Sequence, residues 1–386
     1  MRKAILSLLL LAGCSPSDRK QPLTHDAYIW QRRWNVSVTQ AVRESAPSIH
    51  AWRVLAAEVN AAGEWLPVAA NQESLRNSAK PVIAVIRTSR LDDHLSTKAA
   101  ALAAQWNVRG IEIDYDCGTE SLPSYRDFLR QLRATLSRRY SLSITALPSW
   151  LASHDLPALL SEVDESVLQV HSVLSPKQGL FNKTIAADWA RKWSAQTTRP
   201  FLIALPTYWS RVSWNQAGRV TAIESEAARL GTDETTQELF VEPGEVISFM
   251  AEIQKNPPPH LQGIAWFRLP TNQDERAWDA ATWHAVMQGR AVPPAHPVIR
   301  IQADASGAQD VYLLNQESLA ARLPSEVLVS AQGCQLADAM PGYTLETQQD
   351  GFRFRLQAQD VLRPRQRKLV GWVRCTGKDL TTRVSF

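Results

Sequence analysis

The sequence predicts an α/β protein: a (β/α)8 TIM barrel followed by a small all-β C-terminal domain. Three observations carry that prediction. Eight short apolar or β-branched runs alternate with segments of helical periodicity over residues 26–290, and such barrels typically take roughly 250 residues. Acidic residues occupy alternate positions of the fourth run, at Glu112, Asp114 and Asp116. The helical rhythm stops near Gly289, and residues 291–297, with Pro293, Pro294 and Pro297, read as a linker. An open doubly wound sheet would place a glycine-rich phosphate loop after its first strand, and Trp30-Gln31-Arg32-Arg33-Trp34 is not one.

The chain opens with Arg2 and Lys3, an apolar run from Ala4 to Ala12, then Gly13 and Cys14, the layout of a secretory signal over residues 1–13. Leu11-Ala12-Gly13-Cys14 resembles the bacterial lipobox, which implies lipidation of Cys14. Ser15 follows where an aspartate would favour inner-membrane retention in the lipoproteins it resembles, so the expected location is the cell envelope, lipid-anchored, at the outer membrane facing the periplasm. The apolar run is shorter than the roughly 20 residues a bilayer core requires. Residues 14–25 are polar and proline-bearing, as a tether would be.

The expected barrel strands are Ala27–Trp30, Ile49–Ala56, Pro81–Ile86, Val108–Asp116, Leu142–Leu147, Val167–Val173, Phe201–Leu205 and Gly263–Leu269, with helical periodicity over Leu122–Arg139, Ile185–Gln196 and Arg276–Met287 among the connections. Residues 298–386 alternate as Val298–Gln302, Gln309–Leu314, Glu326–Ser330, Gly351–Ala358 and Leu369–Cys375, which suggests a β-sandwich. With Cys14 assigned to lipid and Cys117 ending the acidic run, Cys334 and Cys375 remain to form a disulfide in an oxidising compartment. No Cys/His spacing suggests zinc, and no cofactor is expected. The net charge of +4 is small and the basic residues are scattered, so nucleic acid is not an expected partner. About a third of the 14 tryptophans are expected in a binding cleft, where indoles stack on sugars.

Period-two alternation puts Glu112, Asp114 and Asp116 on one face of the fourth strand and Ile111, Ile113 and Tyr115 on the other. The apolar face meets the helices, so the acidic file points into the barrel and climbs to the C-terminal rim, where active sites of this fold lie. Three adjacent carboxylates repel, and a raised pKa on one of them suits a general acid. The alternative is a ladder neutralised by Arg53, Arg87 and Arg268, which stand near predicted strand ends.

Glu112-x-Asp114-x-Asp116 resembles the Asp-x-Asp-x-Glu row of chitinase-like glycoside hydrolases, and Ala146-Leu147-Pro148, Ala204-Leu205-Pro206-Thr207-Tyr208 and Gly263-Ile264-Ala265-Trp266 resemble its later strands. The resemblance implies that Trp266 floors the sugar subsite. Segments such as Gly110–Cys117, Leu142–Trp150, Leu168-Gln169-Val170-His171 and Trp266-Phe267-Arg268-Leu269-Pro270 resemble the bacterial lipoprotein family catalogued as domain of unknown function 3142, which implies the fold and no activity. Asp116 is one methylene shorter than the glutamate, so its carboxyl sits roughly 1.5 Å further back. Gln169 and His171 replace a tyrosine-aspartate pair, and Arg87-Thr88-Ser89 a serine-glycine-glycine run, which disfavours substrate-assisted chemistry. A two-carboxylate mechanism would use Asp116 as acid, with Asp114, Glu224 or Glu226 as partner. Tyr208 and Trp150 are candidate aromatic platforms, and His171 is either a ligand for a sugar hydroxyl or a satisfied core residue.

The leading expectation is a glycoside hydrolase acting on an extracytoplasmic polysaccharide or cell-wall glycan. A catalytically inactive carbohydrate-binding or envelope-assembly lipoprotein is the second. A divalent cation on the three carboxylates is the third. The three arginines would also suit a uronic-acid polymer.

Overall fold

The computed structural model describes residues 22–386 except 174, 216, 225–234, 275, 304–306, 332, 358–359 and 378–379. The expected signal segment, Cys14 and Glu226 lie outside the described residues.

Eight parallel strands close on themselves: β1 (Thr24–Ile29), β2 (Trp52–Val59), β3 (Val82–Thr88), β4 (Gly110–Asp114), β5 (Ser141–Ala146), β6 (Glu165–Gln169), β7 (Phe201–Pro206) and β8 (Leu261–Phe267). Each hydrogen-bonds its sequence neighbours, and β1 completes the ring by pairing with both β2 and β8. The first strand starts at Thr24, inside the segment expected as tether, because Thr24 and His25 pair with Gly263 and Ile264. Helices cover the outside, among them Val36–Ser45, Asp93–Trp106, Leu122–Thr135, Lys183–Ser194, Pro243–Lys255 and Ala280–Met287. Side-chain caps set several of their starts: Asn35, Asp92 and Asp279 accept from Val38, Leu95 and Thr282 backbone N–H groups, as short polar side chains do at helix N-termini. Among the described residues no helix is long and apolar enough to cross a membrane.

Alternation along the strands separates two apolar layers. Ile111, Ile113, Leu142, Ile144, Ile203 and Ile264 pack outward against the helices. Tyr28, Leu55, Val85, Val167, Leu202 and Ala265 fill the barrel interior. Gly110 opens the acidic strand because β4 there runs so close to Ser141 that any Cβ would collide with its hydroxyl and carbonyl; Gly263 meets Thr24 in the same way.

One elaboration shapes the mouth. After β7 the chain forms a three-stranded antiparallel arm, with Ser210–Trp214 between Val220–Glu224 and Thr235–Leu239. Across it Arg211 stands opposite both Glu224 and Glu238.

The C-terminal region is a sandwich of two four-stranded antiparallel sheets, Val298–Ala303, Gln309–Leu314, Arg367–Cys375 and Cys334–Ala339 against Tyr343–Gln348, Gly351–Leu356, Glu326–Ser330 and Thr381–Ser385. Val311, Leu313, Val327, Val329, Phe354 and Val370 form its core. In Phe352-Arg353-Phe354-Arg355 the phenylalanines are buried while both arginines pair with Glu346 and Glu326 on the outer face. Cys334 and Cys375 face each other on paired strands and are joined by a disulfide. The sandwich contacts the barrel side through Arg322, 2.7 Å from Glu242, and Arg363, 3.9 Å from Glu238.

Candidate active site

The inward face of β4 carries two carboxylates with different partners. Glu112, fully buried, lies deep in the barrel. Tyr28 donates to one of its oxygens at 2.6 Å, while Arg53 and, at 3.1 Å, Ser143 donate to the other. Arg53, also fully buried, reaches Asp26 at 2.9 Å and pairs with Glu165 as well. Four strands thus deliver one guanidinium and three carboxylates to a single layer. Burial opposes the charge of Arg53, but Glu112, Glu165 and Asp26 outweigh it.

Asp114 is one step higher and 7% exposed. Thr145 donates to its Oδ1 at 2.6 Å. Burial pushes this carboxyl up to about 7, helped by the charge of Asp116 and more weakly by Glu112, and opposed by the Thr145 hydrogen bond and Arg87. Asp116 follows the strand and is exposed at the rim. Lost hydration in the cleft raises its carboxyl too, with Arg87 opposing.

Both aspartates line a cavity of about 880 Å³ at the C-terminal mouth, within the size range of small-ligand sites. Its walls also include Arg87, Thr145, Gln169, His171, Tyr208, Glu224 and Arg268. Phe267 stands among Tyr28, Trp30, His171 and Tyr208 with ring centroids 5.1 to 5.7 Å away. Arg268 is held by Asp274 at 2.7 Å, and Gln169 donates to the His171 carbonyl at 3.2 Å. Among the described residues no group of three His, Cys, Asp or Glu side chains is arranged to hold a metal ion; Glu112 is committed to Arg53.

Four of the expected site residues lie away from the cavity. Trp266 is fully buried on the outward face, its ring 6.3 Å from Trp283 and its Nε1 3.0 Å from His25. The parity of β8 sends the small Gly263 and Ala265 inward, and Phe267 with them, so Phe267 supplies the aromatic surface expected of Trp266. Trp150 is fully buried beneath the rim, donating to the Cys117 carbonyl at 2.8 Å and packing on Tyr125. Arg53 and Glu112 neutralise each other below the cavity floor. Of the 14 tryptophans only Trp30 is on the cavity wall, against the third expected; most complete the contacts between strands and helices. Tyr28, Trp30, Thr145 and Phe267 were missed as cavity residues, although alternation within their strands gives the inward parity.

The raised Asp114 pKa has a consequence for stability. Its native carboxyl binds a proton more tightly than in the unfolded chain, so this group's contribution to stability is largest at low pH. It is lost as pH rises from the ordinary carboxylate range through about 7. Asp114→Asn is therefore expected to melt above wild type at pH 8, by the equivalent of at most roughly 4 kcal/mol, and to converge with it near pH 4. Calorimetry across that range checks the sign; a variant less stable than wild type at pH 8 refutes it. His171 acts oppositely, since burial lowers its pKa to about 3 and its contribution is lost as pH falls below the ordinary histidine range.

The profile of domain of unknown function 3142 matches residues 78–272, and that of domain of unknown function 8456 matches residues 298–376. No curated protein matches the sequence. Among solved structures the chain is similar to the spore cortex-lytic enzyme SleL of Bacillus megaterium, with TM-score 0.54 and 13% identity over 72% of this chain and 76% of that one. It is similar to SleL of Bacillus cereus, with TM-score 0.53 and 15% identity over 71% and 75% of the two chains. A chitinase of Chromobacterium violaceum aligns with TM-score 0.51 and 14% identity over 70% of this chain and 100% of its own. At these identities the likeness establishes the shared barrel fold.

Proposed function

The chain belongs to the family of domain of unknown function 3142, and from that premise we propose that its barrel hydrolyses glycosidic bonds of an extracytoplasmic polysaccharide, with Asp116 as general acid and Asp114 as its proton partner. The observation that carries the reading is the pair of carboxylates on the cavity wall, both with raised pKa. Two acids that cannot ionise together readily keep a proton available near neutral pH, which is what protonation of a departing sugar oxygen requires. Glu224 on the arm lines the same cavity, a third carboxylate at the mouth and the candidate to activate water. Aromatic rings suit sugar faces, and the chitinase and cortex-lytic names of the fold neighbours support a polysaccharide substrate. Purified protein lacking residues 1–21, incubated with a panel of polysaccharides between pH 5 and 8, is expected to release reducing ends from at least one. Release from none overturns the hydrolase reading in favour of a binding protein.

The lipobox resemblance at Leu11-Ala12-Gly13-Cys14 supports a lipid anchor on Cys14 and residence in the cell envelope, facing the periplasm. Cys14→Ala is expected to move the protein from the membrane to the soluble fraction. Complete retention of that variant on membranes after a high-salt wash rules the anchor out.

A further inference from the structure

His171 lies just beyond the C-terminal end of β6, 2% exposed, on the cavity wall. Its ring is stacked on Phe267 at 5.4 Å, with Tyr208 edge-on at 5.7 Å. Nδ1 meets the Tyr208 hydroxyl at 3.3 Å, whereas Nε2 is buried with no hydrogen-bond partner. A buried polar atom left unpaired forfeits its hydration without compensation, so such an atom on a cavity wall asks what completes it.

The neighbours bear on where the ring proton sits. Burial holds His171 neutral. Nδ1 faces the Tyr208 hydroxyl, a group able to donate to it. A Tyr208 hydroxyl that donates to Nδ1 makes that nitrogen the acceptor of the ring. A neutral imidazole that accepts at Nδ1 carries its proton on Nε2.

We propose that the Tyr208 hydroxyl, by donating to Nδ1, fixes His171 as the Nε2–H tautomer, and that this N–H donates to an acceptor oxygen of the bound saccharide, making His171 a specificity-determining residue of the cavity. This rests on the glycan reading above but not on hydrolysis. Hydroxyl, acetamido and carboxylate oxygens share the required chemistry, and cellotetraose, tetra-N-acetylchitotetraose and tetragalacturonate separate them. A site built around a donor discriminates strongly against a ligand that leaves it unpaired.

The test uses the folded protein with 15N-labelled histidine, His171 being assigned by its absence from the spectrum of His171→Gln. Wild type is expected to show Nε2 protonated, and Tyr208→Phe to redistribute the proton between the two nitrogens. An Nδ1-protonated His171 in wild type overturns the tautomer assignment. At least one tetrasaccharide is expected to bind and shift the Nε2–H resonance. Calorimetry with that sugar should show binding weakened about 10- to 100-fold by His171→Phe and restored to within a few-fold by His171→Gln, whose amide donates from nearly the same place. Binding that leaves the resonance unmoved, undiminished binding by His171→Phe, or no binding of any of the three sugars overturns the assignment. A sugar that binds, shifts His171 and is never cleaved supports it while removing the hydrolase reading.

Discussion

Asp116→Asn is expected to lower the rate on a cleaved glycan by about 10²- to 10⁴-fold with sugar affinity and folding retained, the usual yield of a positioned proton donor. The substitution preserves size and removes the titrating proton. Asp116 stands at the rim, where a glycosidic oxygen can reach it, with Asp114 one step deeper in the same file. If the pair shares a proton, Asp114→Asn should displace the pH profile as well as lower the rate, since it removes the neighbour whose charge couples to Asp116. Asp116→Glu advances the carboxyl by roughly 1.5 Å and should retain part of the activity. Single-turnover rates for the three variants decide the matter. Wild-type rates from Asp116→Asn would exclude it as the acid and pass that role to Asp114 with Glu224. A higher melting temperature with unchanged activity would mark the file as structural.

Arg53→Met is expected to cost about 3–5 kcal/mol, because it strands buried carboxylates that share one cation. Asp26 and Glu112 are almost wholly enclosed, and Arg53 joins them to Glu165 across the barrel floor. The barrel transition should fall by roughly 6–20 °C. Combining Arg53→Met with Glu112→Gln should recover part of the loss, since one stranded charge is removed with its partner. Thermal melts of both variants at pH 7 provide the check. A single variant melting within 2 °C of wild type would show, by the same scaling, that the cluster contributes little.

The eight strands were legible because each is a short apolar run between turn or helix signals, and each predicted run overlaps an observed strand. The inward placement of Glu112 and Asp114 followed from period two alone. Trp266 was misplaced because motif resemblance overrode that same rule: in Gly263-Ile264-Ala265-Trp266-Phe267 the bulky Ile264 and Trp266 share the outward parity. The depth of Arg53 was not legible, since its three carboxylates come from β1, β4 and β6 and meet only when the barrel closes. The arm over the mouth was not legible, since its strands pair with one another rather than with the barrel and so fall outside the strand-helix rhythm.

That arm ties two distant parts of the molecule together. Glu224 on its inner strand lines the cavity, Arg211 stands between Glu224 and Glu238, and Glu238 is gripped by Arg276 at 3.2 Å and by Arg363 of the sandwich at 3.9 Å. One carboxylate, Glu238, thus meets cations from the barrel side and from the C-terminal region, on the same short sheet that lends Glu224 to the cavity wall.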